Sequence, residues 1–284
     1  MSPASPSSSA QAARTAVAVR LRELRKDAGL TVTELANRCG WHHAKTSRIE
    51  NARTPPNATD IRLWCRACDA ADQAADLVAQ SIHAESMYTE WRRKIRTGLK
   101  QLQESYAPLY KRTRHFRVYS PGIVPGLLQT EGYVAALLGG IAEFHAAPDD
   151  VAAAASVRME RARVVHEPGK RFAFVIEEAA LHYRIGDSDA MAAQLGHLLT
   201  VGALPAVSLG VIPSATSDRQ LRPLETFHIF DEALVSVELL TAQVNVVQPS
   251  EIDLYLKAFA QLHQLAVYGA EARALILNAI ETLD

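Results

Sequence analysis

The sequence has no apolar run near the roughly 20 residues that a membrane-spanning helix needs, which excludes a helical membrane protein. It holds only three cysteines. An odd, small number in 284 residues builds no disulfide framework, so a reducing, cytoplasmic setting is expected. Metal-binding spacings are also missing: the ten histidines show no His-x-x-x-His or His-Glu-x-x-His pattern. No Gly-x-Ser-x-Gly elbow is present, and no glycine-rich loop leads into Lys-Ser/Thr. Neither an enzyme nor a cofactor or metal site is therefore expected. The first ten residues, MSPASPSSSA, lack the basic start and apolar centre of a signal peptide and read as a disordered tail over residues 1–13.

What is present is unevenly charged. The formal net charge is −1, yet residues 1–118 carry 20 Lys and Arg against 11 Asp and Glu. Residues 119–284 carry 10 against 20. A basic first part joined to an acidic second part suits a protein in which only the first faces a polyanion. Two complementary domain surfaces would give the same asymmetry.

Local signals divide the chain further. Residues 17–28 place Val17, Leu21 and Leu24 at helical spacing, and Gly29 ends that helix. Thr31-x-x-Glu34 has the spacing of a capping box and opens a short helix over residues 32–39. Gly40 permits a tight turn, and a second short helix is expected over about 43–50. Ala36 is small enough for two helices to cross, with Leu35, Ile49 and Trp41 sealing the crossing. Four or five short helices are expected within an all-α domain at 14–80. Residues 70–114 read as a mostly helical stretch, with Leu77, Ile82, Tyr88, Trp91, Ile95, Leu99, Leu102 and Tyr106 on a partly buried face, and a helical connector is expected over 81–115. Residues 116–284 read as an α+β domain, a small sheet flanked by helices. Strands are expected at 116–119, 172–177, 207–212, 227–230 and 234–239, with a polar loop over 213–223.

The helix over 43–50 is the candidate DNA reader. His42, His43, Ala44, Lys45, Ser47 and Arg48 form a polar face of the size a major groove admits. His43, Ala44, Lys45 and Ser47 are base-contact candidates: Ala44 for a thymine methyl, Lys45 for guanine O6 or N7. Thr31, Arg48 and Arg53 are phosphate candidates. For Arg48 an internal salt bridge to a helix carboxylate stands beside the phosphate reading, and for His42 a helix cap. Cys65-x-x-Cys68 reads as two core-facing thiols on a helix, and Glu177-Glu178 as a solvated strand end. The basic runs Arg92-Arg93-Lys94 and Lys111-Arg112-Thr113-Arg114 read as solvated faces, as extra phosphate contacts or as docking points for the acidic C-terminal domain.

The stretch GLTVTELANRCGWHHAKTSRIENARTPP resembles the Cro/λ-repressor (XRE) type of helix-turn-helix domain, most closely at Gly29-Leu30, Glu34-Leu35-Ala36, Gly40 and Ser47-Arg48-Ile49-Glu50-Asn51. Further on, YSPGIVPGLLQTEGY (residues 119–133), VRMER (157–161), IEEAAL (176–181) and MAAQL (191–195) resemble the C-terminal domain of actinobacterial WhiJ-like, antitoxin-like regulators. The resemblance implies a cytoplasmic transcriptional regulator that binds double-stranded DNA, often paired with a small partner protein encoded nearby. One recognition helix buries little surface, so a homodimer on a two-fold operator is expected, with the second domain sensing a partner or an unidentified ligand. The alternative is an antitoxin-like interaction module for which DNA binding is secondary. Two positions depart from the family pattern. Val32 stands where many members carry Gln, and Ala52 where many carry Gly, which assigns any left-handed conformation to Asn51.

Overall fold

The computed structural model describes residues 6–217 and 219–283. The chain divides into two compact units, residues 1–89 with 243–245, and residues 90–242 with 246–284.

The first unit is helical. Its helices are α1 (Pro6–Asp27), α2 (Val32–Cys39), α3 (His43–Glu50), α4 (Ala58–Ala67) and α5 (Ala74–Met87). Helix α1 begins at Pro6, so residues 6–13, expected in a disordered tail, are helical; residues 1–5 lie outside the described residues. Gly29, at φ +67°, ends the first turn of the connection, and the Leu30 amide returns to the Arg25 carbonyl at 3.0 Å. Val17, Leu21, Leu24, Leu35, Ile49, Ile61 and Trp64 form one core, and the Trp64 indole donates to the Leu21 carbonyl at 2.9 Å. That bond satisfies a polar atom that burial would otherwise leave without a partner. Asn57 caps α4, accepting from the Asp60 amide at 2.8 Å while the Asp60 carboxylate accepts from the Asn57 amide at 3.2 Å. All three thiols, Cys39, Cys65 and Cys68, are buried and unpaired. Burial pushes Cys39 and Cys68 up to about 11, the behaviour of structural rather than reactive cysteines.

The expected connector over 81–115 is not one helix. Helix α5 belongs to the first unit, and a short strand β1 (Tyr88–Glu90) follows it. Three short helices then belong to the second unit: α6 (Trp91–Ile95), α7 (Leu99–Ser105) and α8 (Ala107–Arg112). Gly98 separates the first two at φ +106°, where an added Cβ would lie 2.3 Å from an Asp150 carboxylate oxygen. That carboxylate accepts from the Leu99 and Lys100 amides, both at 2.9 Å, and starts α7. The apolar spacing read as a connector face is therefore core: Ile95, Leu99 and Leu102 pack with Val134, Leu138, Ala154 and Ala155. The side chains of Ile82, Tyr88, Arg92 and Arg93 lie outside the described residues.

The second unit is α+β. Five of its strands are β2 (His115–Ser120), β3 (Arg171–Glu177), β4 (Val207–Ile212), β5 (Phe227–Phe230) and β6 (Leu234–Glu238). They run in the order β6-β5-β2-β3-β4. Strand β3 is parallel to both β2 and β4, whereas β2 with β5 and β5 with β6 are antiparallel. The sheet is thus mixed, with β2 at the change of direction. A further short strand, β7 (Ala242–Val246), was not foreseen. Helices α9 (Glu131–His145) and α10 (Val151–Ala162) connect β2 to β3, and α11 (Ala179–His182) and α12 (Ser188–Val201) connect β3 to β4. The chain ends in α13 (Pro249–Leu265) and α14 (Gly269–Glu281). Phe116, Val118, Phe172, Phe174 and Phe230 line one sheet face and pack with Tyr133, Leu195, Leu198 and Ile276.

Glu177 and Glu178 are not a solvated strand end. Glu177 is buried, accepts from the Tyr119 hydroxyl at 2.6 Å and is gripped by Arg219 from the loop over 213–223. Glu178 accepts from the Ser214 amide at 2.6 Å. Both carboxylates tie that loop to the end of β3. No helix among the described residues is long and apolar enough to cross a membrane.

Candidate nucleic-acid interface

Helix α2 starts where the Thr-x-x-Glu spacing placed it. Thr31 Oγ1 accepts from the Glu34 amide at 3.2 Å, and Glu34 Oε2 accepts from the Thr31 amide at 2.8 Å and its hydroxyl at 2.7 Å. The Thr31 amide, and then its hydroxyl, hold the Glu34 carboxyl below its ordinary range. Gly40 ends α2 in the left-handed region at φ +73°, and the Trp41 amide returns to the Ala36 carbonyl at 3.0 Å. Ala36 and Leu35 are buried at the crossing with α3. His42 caps α3, its Nδ1 accepting from the Ala44 amide at 3.2 Å. Of its two readings, the helix cap is the one the structure displays.

Buried contacts at Ile49, Thr46 and Glu50 hold α3 to the rest of the unit. Ile49 is buried in the core. Thr46 is also buried, and its hydroxyl accepts from the Trp41 indole at 2.9 Å. Glu50, 7% exposed, accepts from Arg25 Nε at 2.5 Å and Nη2 at 3.0 Å, while Arg22 Nη2 donates to its carbonyl at 2.5 Å. Hydrogen bonding to Glu50 raises the Arg25 pKa further above its already basic value. These bonds fix the axial position and the rotation of α3.

The outward face then carries His43, Ser47 and Arg48, all exposed, with Ala44 half-buried beside them. Arg48 Nε donates to the Ala44 carbonyl at 3.2 Å. The Glu50 carboxylate at the end of the same helix is occupied by Arg25 and Arg22, and the exposed Arg48 makes no ion pair among the described residues. Thr31 and Arg53 are exposed as well. Lys45 stands apart from the other base candidates. Its Nζ meets the Asp60 carboxylate at 2.6 Å and lies 4.5 Å from the centre of the Trp41 ring. Its cation is engaged within the domain, 15 residues from its partner in sequence.

The left-handed residue after α3 is Ala52, at φ +51°, rather than Asn51, whose φ is −98°. Asn51 instead uses its side chain: Nδ2 donates to the Ser47 carbonyl at 2.7 Å, and Oδ1 accepts from Arg22 at 3.1 Å. A side chain with two good partners holds Asn51 in place, and the strain passes to Ala52. The Arg25–Glu50 and Lys45–Asp60 pairs were not foreseen. Asp60 was legible as a cap through Asn57-x-x-Asp60, whereas pairs joining separate helices leave no local spacing to find.

Two short helices crossing at a small residue, joined by a left-handed glycine and presenting the polar side of the second, define a helix-turn-helix domain. The family model described as a helix-turn-helix domain matches residues 16–78. A second model, described as a domain of unknown function (DUF5753), matches residues 103–278. It spans more than half of the chain, and the chain belongs to that family. No curated protein and no solved structure matches the chain significantly.

Proposed function

We propose that the protein is a sequence-specific transcriptional regulator that reads operator DNA with the outward face of α3. The observation that carries this reading is a helix locked in position from behind while the side chains of His43, Ser47 and Arg48 are exposed in front. A reader must be rigid, because each side chain left to be ordered on binding costs affinity. His43, Ala44 and Ser47 contact bases, and Lys45 joins them by exchanging Asp60 for a base edge. Thr31, Arg48 and Arg53 contact phosphates. The excess of basic residues over residues 1–118 supports the same orientation. Two copies bind a two-fold operator, since a single short helix buries too little surface. The second unit acts without catalysis, sensing a ligand or a small partner protein, as in the WhiJ-like regulators that the sequence resembles.

The test is genome-wide mapping of bound sites, followed by anisotropy titration of the recovered duplex and of a scrambled one. His43→Ala and Ser47→Ala should each weaken the specific duplex about 10-fold or more and scarcely change the scrambled one. Arg48→Ala and Arg53→Ala should weaken both duplexes alike and lower the salt slope by about one each. Absence of binding to any duplex at low ionic strength would sink the assignment. The acidic balance of residues 119–284 favours a second reading, an antitoxin-like module that sequesters a basic partner. A stoichiometric small protein copurifying from native extract, without any DNA footprint, would decide for it.

A further inference from the structure

Among the described residues of the second unit, Arg158 and Arg161 have no carboxylate partner. Arg158 and Arg161 lie one turn apart on α10 and converge on a neutral side chain, Gln103 of α7. Gln103 Oε1 accepts from Arg158 Nε at 3.1 Å and from Arg161 Nη2 at 2.9 Å, and its backbone carbonyl accepts from Arg161 Nη1 at 2.9 Å. Arg158 Nη1 donates to Gln129 at 2.9 Å, another neutral amide. The Arg161 guanidinium lies 5.2 Å from the centre of the Tyr106 ring and 4.9 Å from that of Tyr110.

No carboxylate pairs with either arginine. Glu238 is near enough to act on Arg158 through its field, but it is exposed and forms no salt bridge with either. Arg161 Nε is buried with no hydrogen-bond partner. Desolvation, then the neighbouring Arg161, lowers the Arg158 pKa. Desolvation also holds His228 below its ordinary value, so the nearby imidazole is neutral. Buried like charges are costly and are normally paired. Here neutral amides orient them and leave the charge uncompensated.

Tyr106, Tyr110, Arg158, Arg161 and His228 are each half-buried, so solvent and solutes reach part of every one. We propose that this arginine pair binds a small organic oxyanion, a carboxylate or a phosphate ester, whose charge is met by Arg158 and Arg161. Guanidinium groups suit both, because their paired N–H donors match the spacing of two oxygens on one centre. The tyrosine rings offer an apolar wall to the rest of the molecule. This inference rests on the reading of the second unit as a sensor and supplies the chemistry of what it senses.

The experiment uses the full chain without DNA, so that its failure leaves DNA recognition untouched and the reverse holds too. Thermal unfolding is followed against inorganic phosphate and against benzoate, with ionic strength kept constant by sodium chloride. A bound oxyanion at a hundredfold excess over Kd should raise Tm on the order of 5 °C. Arg161→Gln should abolish that rise without lowering the Tm of the free protein, since it removes a repelling charge. Gln103→Glu should raise the free protein's Tm by supplying the missing carboxylate, and should also abolish the response. A response to phosphate alone or to benzoate alone assigns the headgroup and supports the site. Equal responses in wild type and both variants, or no response to either anion, would overturn it. So would a Gln103→Glu protein less stable than wild type.

Discussion

Removing Arg25 should unseat the recognition helix, and the structure sets the size of the effect. Arg25 and Glu50 have side chains 11% and 6% exposed, so the pair is largely shielded from solvent. Arg25→Met keeps the apolar stem but leaves the Glu50 carboxylate with one distant partner, Arg22 Nε at 3.5 Å. Stripping one member from a buried pair costs about 3–5 kcal/mol. The surviving arginine places the expected loss near the lower end, about 3 kcal/mol. Glu50→Gln should cost less, about 1–2 kcal/mol, because the amide retains an acceptor for Arg25. In the Arg25→Met/Glu50→Gln double variant no charge is stranded, so a coupling of at least about 1.5 kcal/mol should appear. The assay is urea unfolding monitored by tryptophan fluorescence, in which Trp41 and Trp64 report the first unit and Trp91 the second. Only the transition of the first unit should move, and affinity for the mapped duplex should fall with it. A loss below about 1 kcal/mol for Arg25→Met, or an additive double variant, would refute the view that this pair positions α3.

Three further outcomes follow from the same geometry. Ala52→Gly should stabilise the first unit by about 0.5–1 kcal/mol, because glycine removes the penalty of a left-handed alanine at a smaller entropic cost; urea unfolding would show it, and a loss of stability would contradict it. Lys45→Ala should cost about 1 kcal/mol by leaving Asp60 without its cation, a value kept low because Lys45 is 37% exposed and partly screened. Its effect on DNA must therefore be measured beside Lys45→Met, which keeps the stem over Trp41, with unfolding curves for both. For the thiols, the raised pKa values of Cys39 and Cys68 mean that the native state holds the neutral form. Stability from this source is fully present below about pH 9 and is lost as pH climbs towards 11. Iodoacetamide at pH 8 should label none of the cysteines until urea unfolds the first unit, and prompt labelling of the folded protein would count against a buried, structural role.

The contrast between Arg48 and Lys45 shows how far residue type and position carry a prediction of function. Both sit on the outward arc of α3, and both were candidates for DNA. Arg48 makes no ion pair among the described residues, since Arg25 holds the Glu50 carboxylate, whereas Lys45 is held because α4 brings Asp60 within 2.6 Å. Nothing within one turn of either residue distinguishes them. The connector is a second example. Its spacing of apolar residues was real, but apolar periodicity marks a buried face and does not say which neighbour buries it. Leu99 and Leu102 turned out to pack into the second unit's own core.

Features that depend on residues three or four apart were determined by sequence alone: the Thr31–Glu34 capping box, the Gly40 turn, the bounds of α2 and α3, and five strands of the sheet to within a residue at most ends. Hydrogen-bond geometry and side-chain periodicity act over those distances, so they can be read from a string. Tertiary structure decided everything that pairs distant segments. It joined Arg25 to Glu50 across 25 positions and Arg161 to Gln103 across 58, set the mixed strand order, and moved the left-handed strain onto Ala52. The physical reason is that a buried charge takes whichever partner the packing of helices brings within 3 Å, and sequence separation plays no part in that choice.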